Sequence, residues 1–206
     1  MLLYARSYVY KEEIPQKEGL FRKEQEMERE QLVENTLVQH YGLPFVEGSL
    51  AGLIATVPMT LFMLAVQYLL PQWQQYALPP ERFTDKIAKR IGLRKHMDKP
   101  QLLVASFVSH LGFGVAMGAI YGPLTRIVPL PSVLKGIVFG LVVWLAVYLG
   151  WLPAIGMSEA ATKQPIQRNA LMIVAHLVWG AGTGGVMTLL AGVFDSLIRG
   201  YLLKKR

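Results

Sequence analysis

Two histidines lie inside long apolar stretches, and each opens the same local pattern. His110-Leu111-Gly112-Phe113-Gly114 is followed by Gly118, and His176-Leu177-Val178-Trp179-Gly180 is followed by Gly184, so both read H-L-x-aromatic-G-x-x-x-G. An ionisable side chain within an apolar span is costly to bury and is a functional candidate by default. On parallel helices the two imidazoles would stand at one level, the arrangement that bis-histidine haem ligation needs. Gly112, Gly114, Gly180 and Gly182 would then leave room for the macrocycle. The competing reading, and the favoured one, is structural. Each imidazole would hydrogen-bond across a helix bundle, with Ser106, Ser109 and Thr56 as candidate partners, while Gly114/Gly118 and Gly180/Gly184 let helices approach closely. Zinc is not expected, because two histidines without nearby carboxylates fall short of a ligand set.

Other chemistry is scarce. The absence of cysteine removes disulfides, thiolate metal sites, iron–sulfur clusters and thiol nucleophiles. There is no Gly-x-Ser-x-Gly elbow and no His-Glu-x-x-His motif. Glu159 and His96 stand alone in polar segments and read as solvated. The apolar stretches hold no Asp, Glu, Lys or Arg before Lys135 and Asp195 at their margins, which counts against a pump or coupled transporter. No enzymatic activity is expected. The net charge of +7 comes from basic residues that flank apolar segments, so anionic lipid is the expected counterpart and nucleic acid is not.

The elements that must position these residues follow from where the charges fall. Charged residues make up 17% of the 206-residue chain, against about 25% in an ordinary soluble domain. They crowd into residues 1–47, 81–100 and the C-terminal end. Between them lie four apolar stretches, about 48–70, 102–121, 133–152 and 170–194, each near the roughly 20 residues a bilayer crossing needs. Pro58 lies within the first, where Thr56 and Thr60 are placed to satisfy the carbonyl it frees. Pro153 is expected to stop the third. Pro79-Pro80 opens a short basic amphipathic helix over about 80–95, with Phe83, Ile87 and Ile91 on one face, suited to the headgroup region. Residues 1–47 read as a polar arm with a surface helix, and 200–206 as a basic tail. The first residues do not form a secretory signal.

The fold class expected is therefore an all-α membrane protein: four transmembrane helices as two repeated hairpins, an interfacial helix and an N-terminal arm, with the membrane domain over 48–199. Gly48-x-x-Ala51-Gly52 opens the first hairpin and Gly136-x-x-Phe139-Gly140 the second. With four crossings the repeats are parallel, related by an axis along the membrane normal. Counting all basic residues favours both termini on the cytoplasmic side. Counting only those near span ends reverses the bias.

The run Gly48-Ser-Leu-Ala-Gly-Leu-Ile-Ala-Thr-Val-Pro-Met59, then Leu78-Pro-Pro-Glu-Arg82, His110-Leu-Gly-Phe-Gly114 with Tyr121-Gly122, and His176-Leu-Val-Trp-Gly180, resembles the YagU-like group of small bacterial inner-membrane proteins over about 48–195. That group is largely uncharacterised, with a role in acid tolerance suggested for one member. The resemblance implies four spans in a bacterial cytoplasmic membrane and carries no functional residues across. The functional expectation is a non-enzymatic accessory or scaffold subunit of a larger membrane complex, meeting protein partners through the arm and the spans. The alternatives are a haem-binding electron-transfer protein using His110 and His176, and a passive channel or transporter for a small solute.

Overall fold

The computed structural model describes residues 21–34, 36, 42–71, 75 and 77–204. Residues 1–42 and Leu43–Arg206 form separate units. In the first, 21–34 is a helix, α1, exposed along its whole length. Most of the expected arm, together with Trp73 and the last two residues, lies outside the described set.

The second unit is an integral membrane domain. Four of its helices are long and apolar enough to cross a bilayer: α2 (Leu43–Leu69), α4 (Lys99–Leu124), α5 (Ser132–Ala154) and α6, apolar over Ile166–Phe194 and helical to Lys204. The short α3 (Pro79–Arg90) lies between α2 and α4. Among the described residues there is no strand.

Helix ends follow local chemistry. Pro79 and Pro80 occupy the first turn of α3, where a missing N–H costs nothing. Asp98 caps α4 in a reciprocal box: its carboxylate accepts from the Gln101 N–H at 2.8 Å, and the Gln101 side chain accepts from the Asp98 N–H at 3.0 Å. Gly92 and Gly156, after α3 and α5, take left-handed φ values of 76° and 68°, which glycine adopts without Cβ strain.

Several ends fall elsewhere than expected. Pro123 and Pro153 lie inside helices, because an apolar helix packed in a bundle continues past a proline near its end. The first apolar helix, α2, starts at Leu43, so Glu47 belongs to a membrane helix, where it is 4% exposed. The spans therefore do contain a buried carboxyl side chain. The hydroxyls near Pro58 bond elsewhere: Thr56 donates to the Gly52 carbonyl and Thr60 to the Thr56 carbonyl, both at 2.7 Å. Neither reaches the Ile54 carbonyl that the proline frees.

Glycine sets the packing within each hairpin. A Cβ on Gly118 would overlap the Gly48 carbonyl, one on Gly52 the Gly114 carbonyl, and one on Gly122 the Pro44 carbonyl. In the second hairpin, Gly184 meets the Ser132 carbonyl, Gly136 and Gly180 meet each other's carbonyls, and Gly140 meets the His176 carbonyl. Each hairpin is thus an antiparallel backbone-to-backbone contact repeated every turn. These contacts correct the register of the repeat. Gly52, not Gly48, is the counterpart of Gly136, and Ser132 is the counterpart of Gly48. The offset is one helical turn.

The repeat is also asymmetric between hairpins. α2 packs closely on α6, with Ala51 and Ala55 fully buried, whereas the corresponding pair, α4 and α5, makes little contact. A gap is left on that side, and the candidate site lies there.

Candidate functional site: a histidine-lined cavity

His110, Gly114, Gly118 and Gly122 lie on one stripe of α4, each a turn apart, and His176, Gly180 and Gly184 form the matching stripe of α6. Each histidine is the residue one turn before its glycine pair. Beyond the glycines the hairpins open, and both imidazoles line one cavity of about 110 Å³. The aromatic residue of each pattern, Phe113 or Trp179, is at i+3 on the same face and lines it too. Histidine, aromatic and glycine at i, i+3 and i+4 therefore form one surface, which explains why the three recur together.

The donors are accounted for. His176 Nδ1 lies 2.7 Å from the Met172 carbonyl. A carbonyl only accepts, so Nδ1 carries the hydrogen. His110 Nδ1 lies 3.1 Å from Thr60 Oγ1. The hydroxyl hydrogen of Thr60 already goes to the Thr56 carbonyl, so Thr60 accepts here and His110 Nδ1 donates. In the neutral rings both Nε2 atoms are then bare acceptors, without a protein partner among the described residues. Thr60 and the Met172 carbonyl replace the partners expected from sequence. Ser106 bonds the Leu102 carbonyl, Ser109 bonds the Ser106 carbonyl and Thr84, and Thr56 bonds the Gly52 carbonyl and Trp179.

The walls come from α2, α3, α4, α5 and α6. Trp179 Nε1 donates to Thr56 Oγ1 at 3.1 Å and to the Gly52 carbonyl at 3.3 Å, tying α6 to α2 at the cavity floor. Tyr148 meets His176 edge-on at 5.8 Å and donates its hydroxyl to Met172 Sδ at 3.3 Å. Tyr148 belongs to a π-helical segment, Ala146–Trp151, in which the Leu152 N–H reaches back to the Val147 carbonyl. This widened turn lets Val147, Tyr148 and Trp151 all line the cavity, and such segments recur at functional sites. Nothing in the sequence marked it.

α3 covers the histidine end. Pro79, Pro80 and Phe83 line the cavity, and Phe83 and Phe113 both pack on Trp151, at 5.8 and 6.4 Å between ring centres. Three of its basic residues, Lys86, Lys89 and Arg90, are anchored to protein. Lys86 donates to the Gly156 and Met157 carbonyls and Arg90 to the Ile155 carbonyl, satisfying the C-terminal end of α5. Asp85 holds Lys89 and Arg94. Hydrogen bonds from Lys89 and then Arg94 hold the Asp85 carboxyl below its ordinary value. α3 is thus a cap on the bundle as well as an amphipathic helix. Ile91 departs from the expected face: it follows the helix end and is 61% exposed. The cavity's mouth lies between α4 and α5, where its lining residues Ser109 and Trp151 are exposed.

The glycines proposed as space for a macrocycle are otherwise engaged. Gly114 sits against Thr56, Gly180 against the Gly136 backbone and Gly182 against Ala55, while Gly112 has nothing within 4 Å of its Cβ position and is exposed. Among the described residues no group of three or more His, Asp or Glu is placed to hold a metal ion.

Fold and site together define a small four-span membrane protein with an aromatic-walled cavity lined by two histidines. The chain belongs to the family described as protein of unknown function DUF1440, whose model matches residues 57–184 and so includes both histidine patterns. No curated protein and no solved structure matches it.

Proposed function

We propose that the membrane domain is a non-enzymatic binding protein. Its cavity holds a small, mostly apolar ligand that donates hydrogen bonds to Nε2 of His110 and of His176. The observation that carries this reading is that two imidazoles, each with its Nδ1–H already committed, line a single cavity with a mouth between two membrane helices. Binding sites of this kind are apolar pockets with a few polar groups that fix orientation. The walls of Phe83, Phe113, Tyr148, Trp151 and Trp179 suit a planar ring, and two acceptors suit a ring with two hydroxyl groups. A subunit that keeps such a ligand for a larger assembly is the form in which we retain the accessory role.

The test is a titration of the purified protein in detergent with a hydroquinone and with its dimethyl ether, following tryptophan fluorescence from Trp151 and Trp179. Saturable quenching by the hydroquinone alone is expected, weakened on the order of tenfold by His110→Ala or His176→Ala. Equal binding of the ether, or no saturable quenching, overturns the proposal.

A second reading uses the same lone pairs. A ligating imidazole commonly donates its other N–H to a carbonyl or another acceptor, as both rings do here. Haem bound between them would give a Soret band, lost or converted in either single alanine variant. With the glycine faces filled, the macrocycle would have to lie at the mouth between α4 and α5. A colourless protein after haem addition removes this reading. No observation among the described residues favours a through-path for a solute.

A further inference from the structure

α4 and α5 are tied at one end and open at the other. Near their connecting loop, the Tyr121 hydroxyl donates to the Ser132 carbonyl at 2.9 Å, Lys135 donates to the Thr125 carbonyl at 2.8 Å, and Tyr121 meets Phe139 at 5.3 Å between ring centres. At the cavity end the two helices meet through the stack of Phe113 on Trp151, and the pair otherwise makes little contact. Between these ends, Met117 lies one turn from Phe113, and Phe139 one turn from Val143, on the stripes that line the cavity. Both are half-buried apolar residues packed on the core. They form the floor of a groove that continues the cavity's mouth towards the loop. Resting on the reading that the histidine cavity seats a ring, we propose that the ligand is a ring bearing an apolar chain, which enters sideways from the lipid and leaves its chain in this groove.

Size carries the first part of the inference. A cavity of about 150 Å³ is enough for benzene. At about 110 Å³, with one side open, the histidine cavity seats a single ring and has no room for a chain beside it. A chain on that ring must therefore leave through the mouth. Nothing polar opposes its passage there. Phe113, Val147 and Trp151 are the apolar lips, and the Ser109 hydroxyl is already engaged with the Ser106 carbonyl and Thr84.

Position carries the second part, the medium that the mouth faces. α3 covers the histidine end of the cavity. Ser109 and Phe113 lie about three and four turns beyond Lys99, the first residue of α4, and so within its apolar length. Trp151 is 45% exposed near the end of α5, and Val108 and Leu149 are exposed apolar neighbours of the lips. A mouth between two spans, ringed by exposed apolar side chains, opens to acyl chains. A chain that moves from lipid into the groove stays in an apolar medium, so it gains no hydrophobic drive. Its part is to set the route of entry, while the ring and the histidines supply the recognition.

The experiment uses the full chain in lipid nanodiscs and a hydroquinone bearing a decyl chain with a diazirine midway along it. Light fixes the chain to whatever it touches, and peptide mapping locates the label. Label is expected on α4 and α5 along the groove, over 109–120 and 138–151. Methylhydroquinone at about ten times its own Kd should reduce that label about tenfold, by mass action. A diazirine-bearing decane without the ring should label the exposed apolar faces at large and resist this competition. Competed label confined to α3, to the 155–165 loop or to α2 and α6 overturns the proposal. Tryptophan quenching by methylhydroquinone, with no competed label from the decyl compound, also overturns it and leaves the ring site standing. Absence of both quenching and competed label removes the ring site and the chain groove together.

Discussion

The two ends of the bundle solve opposite problems with the same helix stripes. At one end, Gly118 and Gly122 on α4 and Gly180 and Gly184 on α6 bring backbones into contact, with no space between the helices of each hairpin. At the other end, one turn beyond the last glycine, the same stripes carry His110 and His176, and α4 and α5 stand apart beside a cavity. Backbone contact demands the absence of a side chain and tolerates almost no change. The open end is held by side chains: Trp179 on Thr56, Thr60 on His110, and α3 over the top. The difference shows where a membrane bundle can place a site. Without a hydrophobic drive between helices, tight packing must be concentrated somewhere, and the remainder is free to open.

The largest expected effects lie at the tight end. Gly118→Leu and Gly180→Leu each place a side chain where a carbonyl stands and should cost about 1–3 kcal/mol, read as a lower melting temperature in detergent. Gly112→Leu, where the Cβ meets nothing within 4 Å, is the matched control and should change little. Equal melting of all three variants would erase the distinction between the ends.

Trp179→Phe tests the boundary. It removes the N–H shared by Thr56 and the Gly52 carbonyl while keeping most of the apolar bulk, and should cost about 1 kcal/mol. No loss would mean that α2 and α6 are held by their small residues alone.

At the open end, His110→Ala removes a bond between helices and should cost about 0.6 kcal/mol, and at most roughly 1.7, whereas His176→Ala removes a bond within its own helix, to the Met172 carbonyl rather than across the bundle, and should cost no more. His110→Ala combined with Thr60→Val should cost less than the two single changes together, because both remove one bond. Additive losses would place His110 and Thr60 apart.

The smallest effect belongs to the cap. The Asp85 carboxyl is held below its ordinary 3.8 by Lys89 and Arg94. A carboxylate lowered in the folded state contributes stability that is complete above its ordinary value and is lost as pH falls through the lowered value. The hold of Asp85 on Lys89 and Arg94 should therefore weaken only in acid below that range. Acid melting curves of Asp85→Asn should lack this component, and a component that persists in the variant must come from another group.

The family match brings no activity with it, so the reading of this chain rests on how residues were placed. Much of that placement follows from the sequence alone. Long apolar runs between charged segments determined the four spans, because a bilayer crossing requires length and hydropathy and little else. The recurrence of histidine, aromatic and glycine at i, i+3 and i+4 put the site residues on one face of each of two helices, since helical periodicity is local. Tertiary structure decided the rest. It shifted the repeat by a turn, because register depends on which carbonyl meets which glycine across the hairpin. It brought Glu47 into a buried position, since local signals do not fix where an apolar helix begins. It assigned Thr60 and the Met172 carbonyl to the histidines, selected by distance among several equally polar neighbours. Above all it decided that α2 and α6 close while α4 and α5 stay apart. That asymmetry makes a cavity from two nearly equivalent hairpins, and it exists only once all four helices are packed together.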